Sequence, residues 1–151
     1  MSRENTEFDY IILGAGIYGL YASHLLLEKK YRVALVECDK EVFGRASYVN
    51  QARVHNGYHY PRSIFTAKAS VDNYQLFIND FADAINSNFE KIYALSNRNS
   101  FTAAKHFEKF CKYLNIPCEE INPGKYFKKG TVEAAYMTLE CSFDPILVRD
   151  I

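Results

Sequence analysis

Residues 8–37, FDYIILGAGIYGLYASHLLLEKKYRVALVE, decide the fold of this chain. Residues 8–13 form a short apolar run of the kind that is buried in a parallel sheet. Gly14, Gly16 and Gly19 follow at the G-x-G-x-x-G spacing, which suits a tight turn, a close approach to a pyrophosphate and close helix packing. We predict a helix over residues 17–30 and a second strand over residues 32–36. This order predicts a βαβ unit whose helix N-terminus faces the phosphates of a dinucleotide.

Glu37, at the carboxyl end of the second strand, indicates which dinucleotide would bind. A carboxylate at this position can accept hydrogen bonds from the adenosine ribose. It would repel a 2′-phosphate, so the sequence favours FAD or NAD over NADP. The alternative is that the glycines serve only tight packing of the helix on the strand, and that no nucleotide binds.

The composition excludes several classes of function. The chain has 151 residues with 18 basic and 18 acidic side chains, so no electrostatic basis for nucleic-acid binding is present. The polar start lacks the apolar region of a signal peptide, and no apolar run is long enough to span a bilayer. The four cysteines have no metal-binding spacing and are expected to be reduced thiols. We therefore expect a cytoplasmic protein without a membrane span or a nucleic-acid partner.

Downstream of Glu37 the pattern predicts alternating helices and strands. Residues 38–47 form a loop, and residues 48–60 follow neither a helical nor a strand period. The remaining predicted elements are a helix over residues 66–85, a strand over 91–95, a helix over 101–114 capped by Ser100, a strand over 132–143 and a helix start at Asp144-Pro145.

The predicted fold class is α/β, a Rossmann-like FAD/NAD(P)-binding domain with a parallel sheet and a βαβ dinucleotide motif. We expect it to be incomplete, because no apolar run near Glu37 supplies a third parallel strand. Residues 1–65 would be the first part of the FAD-binding domain. Residues 66–151 would hold helices and strands of the FAD and substrate domain, including the start of an α+β substrate domain. The alternative is a small α+β domain that is complete as it stands.

Residues 45–61, RASYVNQARVHNGYHYP, resemble a segment of the D-amino-acid-oxidase-like FAD-dependent oxidoreductases. The resemblance is closest to the branch that contains L-2-hydroxyglutarate dehydrogenase, which carries a Val-Ile-His-x-Gly-x-Tyr-Tyr pattern after a Ser/Thr and Asn-Ser stretch. The matching positions are Ser47, Asn50, Val54, His55, Gly57 and Tyr60. Gln51 and Arg53 depart from the pattern, since a small residue and an apolar residue are commoner there.

The resemblance implies FAD as the cofactor and assigns roles to residues along the first third of the chain. The implied cofactor-binding residues are Gly14, Ala15, Gly16, Ile17, Tyr18, Gly19, Glu37, Cys38, Arg45, Ala46, Ser47 and Gln51. Backbone N–H groups of the glycine turn would hold the pyrophosphate, and Glu37 would hold the ribose. Arg45 could instead be a solvated loop residue.

His55, and after it His59, are the candidate catalytic residues that the resemblance implies on the flavin or substrate side. For each of them a hydrogen-bonded structural histidine is the alternative. We expect no metal at these residues, because their spacing requires a helix to bring the rings together, and Gly57 and Pro61 oppose a helix.

The implied reaction is the oxidation of a C–H bond next to an amine or a hydroxyl, with hydride transfer to the flavin. The expected partner is a small amino- or hydroxy-acid-like substrate, and the chain could form a homo-oligomer. Two alternatives stay open. The chain could be a module that binds NAD or FAD without turnover, or a non-catalytic fragment that is stable only with itself or a partner.

Overall fold

The computed structural model describes residues 7–150, so the predictions for the first six residues and for Ile151 lie outside the described part. The chain divides into two compact units. Of the described residues, the first unit comprises 7–52 and 145–150, and the second comprises 53–144. The domain boundary near residue 65 stays a prediction.

Eight strands and five α-helices alternate along the described residues. They are, in chain order, β1 (Tyr10–Leu13), α1 (Ile17–Glu28), β2 (Val33–Val36), α2 (Ala46–Val49), β3 (Arg53–Val54), α3 (Ile64–Asp80), β4 (Ile85–Asn86), β5 (Ile92–Ser96), α4 (Ala104–Leu114), β6 (Cys118–Ile121), β7 (Val132–Thr138), β8 (Cys141–Phe143) and α5 (Pro145–Asp150). Short 3-10 turns lie at Ala82–Ala84 and Pro123–Lys125.

The first unit is built on the predicted βαβ motif. Strands β1 and β2 are parallel, in a register that runs from Tyr10 opposite Val33 to Leu13 opposite Val36. Each predicted boundary of this motif lies within two residues of the observed one. The parallel pair and the α/β fold class are therefore confirmed. Within residues 7–150 this sheet has two strands.

The second unit contains two antiparallel sheets of three strands, ordered β3-β8-β4 and β5-β7-β6. Helix α4 supplies buried residues to its core, because apolar side chains recur on one face of the helix. The buried cluster consists of Tyr58, Ala67, Leu95, Phe107, Phe110, Cys111, Ile116, Ala134 and Tyr136. This core supports the loop that carries both candidate catalytic histidines.

The single strand predicted over residues 132–143 is wrong. Strand β7 pairs with β5 and β6, whereas β8 pairs with β3 and β4 in the other sheet. Leu139 and Glu140 connect the two strands. The burial pattern changes phase at the connection, where Glu140 and Cys141 are both buried, but apolar residues lie on both sides of it, so the sequence pattern did not reveal the change of sheet.

Several predicted helix boundaries also differ from the structure. Helix α4 begins at Ala104, and Ser100 accepts the Thr102 N–H instead of capping the helix. The Ala104 N–H donates to the Glu133 carboxylate at 3.1 Å, so a distant side chain satisfies the helix start. The helix predicted over residues 66–85 ends at Asp80, and a 3-10 turn and β4 follow it. In total the sequence missed four short elements, α2, β3, β4 and β6.

None of the helices in residues 7–150 combines the length and the apolar character that crossing a bilayer requires.

Candidate functional site

The glycine turn after β1 is fixed by backbone hydrogen bonds to its surroundings in the first unit. The Gly14 N–H donates to the Val36 carbonyl at 2.7 Å, which continues the parallel ladder into the turn. The Ala15 carbonyl accepts the Phe43 N–H at 2.8 Å, and Ala15 is fully buried. The turn therefore has a defined shape before α1 begins.

Gly19 allows the first turn of α1 to pack against this turn. A Cβ atom at position 19 would lie 1.9 Å from the Gly14 carbonyl oxygen, a distance that no side chain tolerates. The close helix packing that the sequence predicts for Gly19 is therefore present. Its role in cofactor binding stays a prediction.

The Glu37 carboxylate lies directly against the glycine turn. It accepts the backbone N–H groups of Ala15 at 2.7 Å, Cys38 at 2.7 Å and Asp39 at 3.0 Å. These hydrogen bonds lower the pKa of Glu37 to about 2, and the bond from the Ala15 N–H makes the largest contribution. The side chain is consequently an ionised hydrogen-bond acceptor at the end of β2, as ribose binding requires.

Ser47 meets the start of α1 from the short helix α2. Its hydroxyl oxygen accepts the Ile17 N–H at 3.0 Å, and Gly16 gives α1 no side-chain cap. A Cβ atom at Gly16 would approach the Ser47 hydroxyl to 3.2 Å. The site thus combines a helix N-terminus, a hydroxyl that can donate to an anion and a backbone open to close approach. This donor set fits the diphosphate of a dinucleotide.

Arg45 is engaged by Asp39 at the edge of the turn. Its Nε and Nη2 atoms donate to the two Asp39 carboxylate oxygens at 2.5 and 2.8 Å. The pair lowers the pKa of Asp39 and raises that of Arg45. The Cys38 thiol donates to Glu37, and this hydrogen bond raises the pKa of the thiol. Arg45 is therefore ion-paired. Whether it binds the cofactor or is a solvated loop residue stays open.

The structure brings together eight of the twelve predicted cofactor-binding residues. Around the turn lie Gly14, Ala15, Gly16, Ile17, Gly19, Glu37, Cys38 and Ser47. Tyr18, Ala46 and Gln51 have exposed side chains, with Tyr18 89% exposed.

A second cluster lies in the second unit, where β3 ends and β8 begins. The antiparallel register places Val54 opposite Cys141, so His55 and Glu140 are the next pair along the ladder. The His55 Nδ1 atom lies 3.3 Å from Glu140 Oε1, and His59 Nε2 lies 3.7 Å from Glu140 Oε2. The two imidazole rings meet edge to face with centroids 4.3 Å apart. The fold thus joins both candidate catalytic residues to a carboxylate.

Burial affects the protonation of His59 in this cluster. Glu140 has only 9% of its surface exposed, and the Asn56 N–H donates to its Oε1 at 3.3 Å. Burial is the main cause that lowers the pKa of His59, and the neighbouring His55 lowers it further. Glu140 acts in the opposite direction and raises it. Its surroundings therefore favour the neutral form of His59.

The loop between β3 and α3 holds these groups by close packing. A Cβ atom at Gly57 would lie 2.9 Å from the Ala67 carbonyl oxygen, so the loop backbone touches α3 directly. The Asn56 side chain donates to the Leu139 carbonyl at 3.2 Å. The Tyr58 hydroxyl accepts the Leu139 N–H at 3.1 Å. These contacts fix the loop to the connection that carries Glu140.

Our reason for excluding a metal at the two histidines is wrong. The loop, without a helix, brings one ligand atom from each of His55, His59 and Glu140 within 4.8 Å of the others. Glu37, Cys38 and Asp39 form a similar group in the first unit. The absence of a metal therefore stays a prediction that the residue spacing does not support.

Glu140, Asn56 and Tyr58 are the members of this cluster that sequence reasoning missed. One signal pointed to Glu140, since it continues the alternation of Ala134, Tyr136 and Thr138, all of which are buried. A charged residue on a buried face requires a partner. The sequence does not reveal that His55 is this partner, because 85 residues separate the two.

Known proteins similar to this chain bind the kind of cofactor that the glycine turn fits. The family described as "DAO: FAD dependent oxidoreductase" matches residues 9–140. The FAD-dependent monooxygenase FPY4 of Fusarium mangiferae is 33% identical over 89 residues, which cover 59% of this chain and 24% of that protein.

Solved structures with the same fold include three enzymes. L-alpha-glycerophosphate oxidase from Mycoplasma pneumoniae, with FAD bound, has a TM-score of 0.76 and 18% identity over 95% of this chain. L-amino acid deaminase from Proteus vulgaris has a TM-score of 0.68 and 14% identity over 99% of the chain. L-proline dehydrogenase from P. horikoshii has a TM-score of 0.60 and 12% identity over 95% of the chain. The chain spans 40%, 38% and 40% of their respective lengths.

Proposed function

The chain belongs to the DAO family of FAD dependent oxidoreductases, and on that premise we propose that it is the N-terminal part of such an enzyme. The proposed reaction oxidises a C–H bond next to an amine or a hydroxyl. The observation that carries the proposal is the parallel βαβ unit whose ionised Glu37 carboxylate lies against the glycine turn. FAD is the cofactor of this family.

In the proposed enzyme the first unit holds the adenosine diphosphate half of FAD. The Ile17 N–H and the Ser47 hydroxyl, which are hydrogen-bonded to each other at 3.0 Å, would donate to the phosphates when FAD binds. Glu37 would accept hydrogen bonds from the ribose hydroxyls, and the Ala15 N–H would keep its carboxylate oriented. Residues 1–65 form the first part of the FAD-binding domain in this proposal, and residues 66–151 belong to the FAD and substrate domain.

Bound FAD supplies the acceptor for a hydride from the substrate carbon. The part of this chain is to orient the substrate and to take the proton from its amine or hydroxyl. His55 is the first candidate for that proton and His59 the second, because both rings lie in one cluster with a nearly buried carboxylate.

Two lines of support bear on the substrate class. The solved relatives are an oxidase of glycerophosphate, a deaminase of amino acids and a dehydrogenase of proline, and each of these small molecules carries an amine or a hydroxyl. Residues 45–61 resemble the branch that contains L-2-hydroxyglutarate dehydrogenase. We therefore propose a small amino or hydroxy acid as the substrate, with the hydroxy-acid branch preferred. The cytoplasmic location stays a prediction.

A second candidate function is a dinucleotide-binding domain that catalyses no reaction by itself. Such a domain would be stable only when more polypeptide covers it. The exposed apolar residues of the parallel sheet favour this candidate, since Ile11 is 66% and Leu13 80% exposed. The covering polypeptide would be a further segment of the same protein, a partner or a second copy of the chain.

Flavin binding tests the proposal directly. Purified chain mixed with FAD is expected to retain a yellow flavin spectrum after gel filtration and to quench flavin fluorescence. G19A should abolish retention, because its Cβ would lie 1.9 Å from the Gly14 carbonyl oxygen. G44A is the matched control, because its Cβ would make an ordinary 3.6 Å contact with the Glu41 carbonyl oxygen.

Anaerobic bleaching then separates the two candidates. A panel of small amino and hydroxy acids is added to the FAD-loaded chain, and loss of the flavin absorbance reports hydride transfer. Bleaching by a member of the panel supports the enzyme. Retained FAD that no member bleaches favours the domain that catalyses no reaction by itself, and a chain that binds NAD but not FAD contradicts both flavin proposals.

A further inference from the structure

We infer that Glu140 is a positioning residue for the proton acceptor, holding a hydrogen on His55 Nδ1 and so leaving His55 Nε2 to take the substrate proton. This inference rests on the proposed function only for the use of that proton. The arrangement of the two side chains stands independently of any cofactor. It assigns a role to a residue that no motif in the sequence marks.

The backbone places the pair with little freedom. His55 follows β3 and Glu140 precedes β8, and these strands pair antiparallel with Val54 opposite Cys141. The two residues are therefore neighbours across the end of one ladder. A shift of one strand by one residue would turn its side chains to the opposite face of the sheet and separate the two residues. Their contact is thus determined by the sheet.

The carboxylate is itself oriented by the loop opposite. The Asn56 N–H donates to Oε1, the same oxygen that faces His55 Nδ1, at 3.3 Å. The Asn56 side chain donates to the Leu139 carbonyl next to Glu140. Only 5% of the Asn56 surface is exposed, so these hydrogen bonds are shielded from solvent. Glu140 therefore presents an acceptor to His55 in a fixed direction.

The tautomer follows from hydrogen-bond chemistry. An ionised carboxylate only accepts hydrogen bonds, so the hydrogen between the two atoms belongs to His55 Nδ1. A neutral imidazole carries one N–H, which leaves a lone pair on Nε2. About a third of the His55 side chain, 32%, is exposed, so the ring is not sealed in the core. Nε2 is then the atom that can accept a proton.

The same geometry separates the roles of the two histidines. His59 Nε2 lies 3.7 Å from Glu140 Oε2, beyond hydrogen-bond distance. The His59 ring packs edge to face against both His55 and Tyr93, with centroids 4.3 and 5.4 Å away. His59 therefore supports the His55 ring, while Arg53 is the further charged group acting on the cluster. We assign the proton-accepting role to His55 alone.

Nitrogen NMR of the full chain, labelled with ¹⁵N in its histidine rings and prepared with a chelator, tests the tautomer without FAD. The wild type is expected to show His55 mainly as the Nδ1–H form. In E140Q the side-chain amide can also donate, so the majority should move to the Nε2–H form that free histidine prefers. The matched control E119Q changes an exposed carboxylate on β6 and should leave His55 unchanged. His106, exposed on α4, is the internal reference.

Three results would overturn the inference. They are a wild-type His55 that is mainly Nε2–H, a folded E140Q with an unchanged tautomer, and stoichiometric zinc bound by His55 and His59 when the chelator is left out. If E140Q does not fold, the wild-type tautomer alone decides. Failure of FAD to bind would remove the proposed function and leave this result intact.

Once a substrate is identified, E140Q should lower kcat with little change in KM, because it changes proton acceptance and not binding. The loss should be smaller than the roughly 10²–10⁴-fold that a positioned acid or base contributes. A higher KM at unchanged kcat would instead indicate that Glu140 contributes only to substrate binding.

Discussion

At the scale of single residues, Glu37 and Glu140 are each oriented by backbone N–H groups but in different surroundings. Glu37 accepts three N–H groups at the end of β2 and remains partly accessible. Glu140 is nearly buried and accepts one N–H and a histidine. The first carboxylate is therefore available to an external hydroxyl, whereas the second acts on a neighbouring side chain.

The hydrogen bonds to Glu37 make the stability of the first unit depend on acid pH. The pKa of this group falls from 4.5 to about 2 in the folded chain, so its contribution is complete above pH 4.5 and is lost as pH falls towards 2. E37Q should destabilise the chain at pH 7 relative to the wild type, and the difference should shrink below pH 4. Urea unfolding at several pH values measures this difference.

The matched control for that measurement is E41Q, which removes an exposed carboxylate from the same unit. If wild type and E37Q differ in free energy of unfolding by the same amount from pH 7 to pH 2, the ionised form of Glu37 does not stabilise the turn.

At the scale of elements, α4 stabilises the second unit through one aromatic face. Phe107 is fully buried and stacks on Tyr93 with ring centroids 4.7 Å apart and planes 6° from parallel. Tyr136 lies 5.2 Å from the same ring, and its hydroxyl donates to Glu108 at 3.0 Å. Because Tyr93 also touches His59, this stack links the core to the histidine cluster.

F107A should destabilise the chain by about 3–5 kcal/mol, because it leaves a cavity beside the four aromatic rings of Tyr58, Tyr93, Phe110 and Tyr136. Urea unfolding measures the loss, and F107L should show a smaller one if F107A does not fold. The control is F65A on α3, where the ring is 88% exposed. Equal losses for F107A and F65A would contradict the central position of Phe107.

At the scale of the whole molecule, the parallel sheet exposes apolar residues from both strands. Ile11 and Leu13 of β1 and Val36 of β2 are 66%, 80% and 50% exposed. Strands of parallel sheets are usually apolar because both faces of the sheet are covered. Together with the 38–40% coverage of the solved relatives, this exposure supports the proposal that more polypeptide packs here in the working protein.

On its own, the 151-residue chain is expected to self-associate through these residues. I11K should weaken the association at least about tenfold, since a buried lysine charge opposes contact between strands. Sedimentation velocity over a concentration series measures it. V49K, which places the same charge at an exposed valine of α2, should leave the association unchanged. A monomeric wild type, or an I11K variant that associates equally well, would contradict the expectation.

What could be predicted from the sequence is local in the chain. The βαβ unit and the start of α5 at Pro145 depend on residues within one turn or one strand of each other, and their signals are glycine spacing, apolar runs and proline position. The missed boundaries involve distant partners. Helix α4 begins where Glu133 meets its first N–H, and β8 leaves β7 because β3 and β4 pair with it.

The glycine turn could be predicted from the sequence alone, because Gly14, Gly19 and Glu37 belong to one strand–helix–strand unit that has a single compact arrangement. The contact of His55 with Glu140 became visible only in the folded chain, since the pairing of β3 with β8 joins residues 85 positions apart. Local geometry follows from the backbone preferences of neighbouring residues. Contacts across a sheet follow from its register, which the whole core selects.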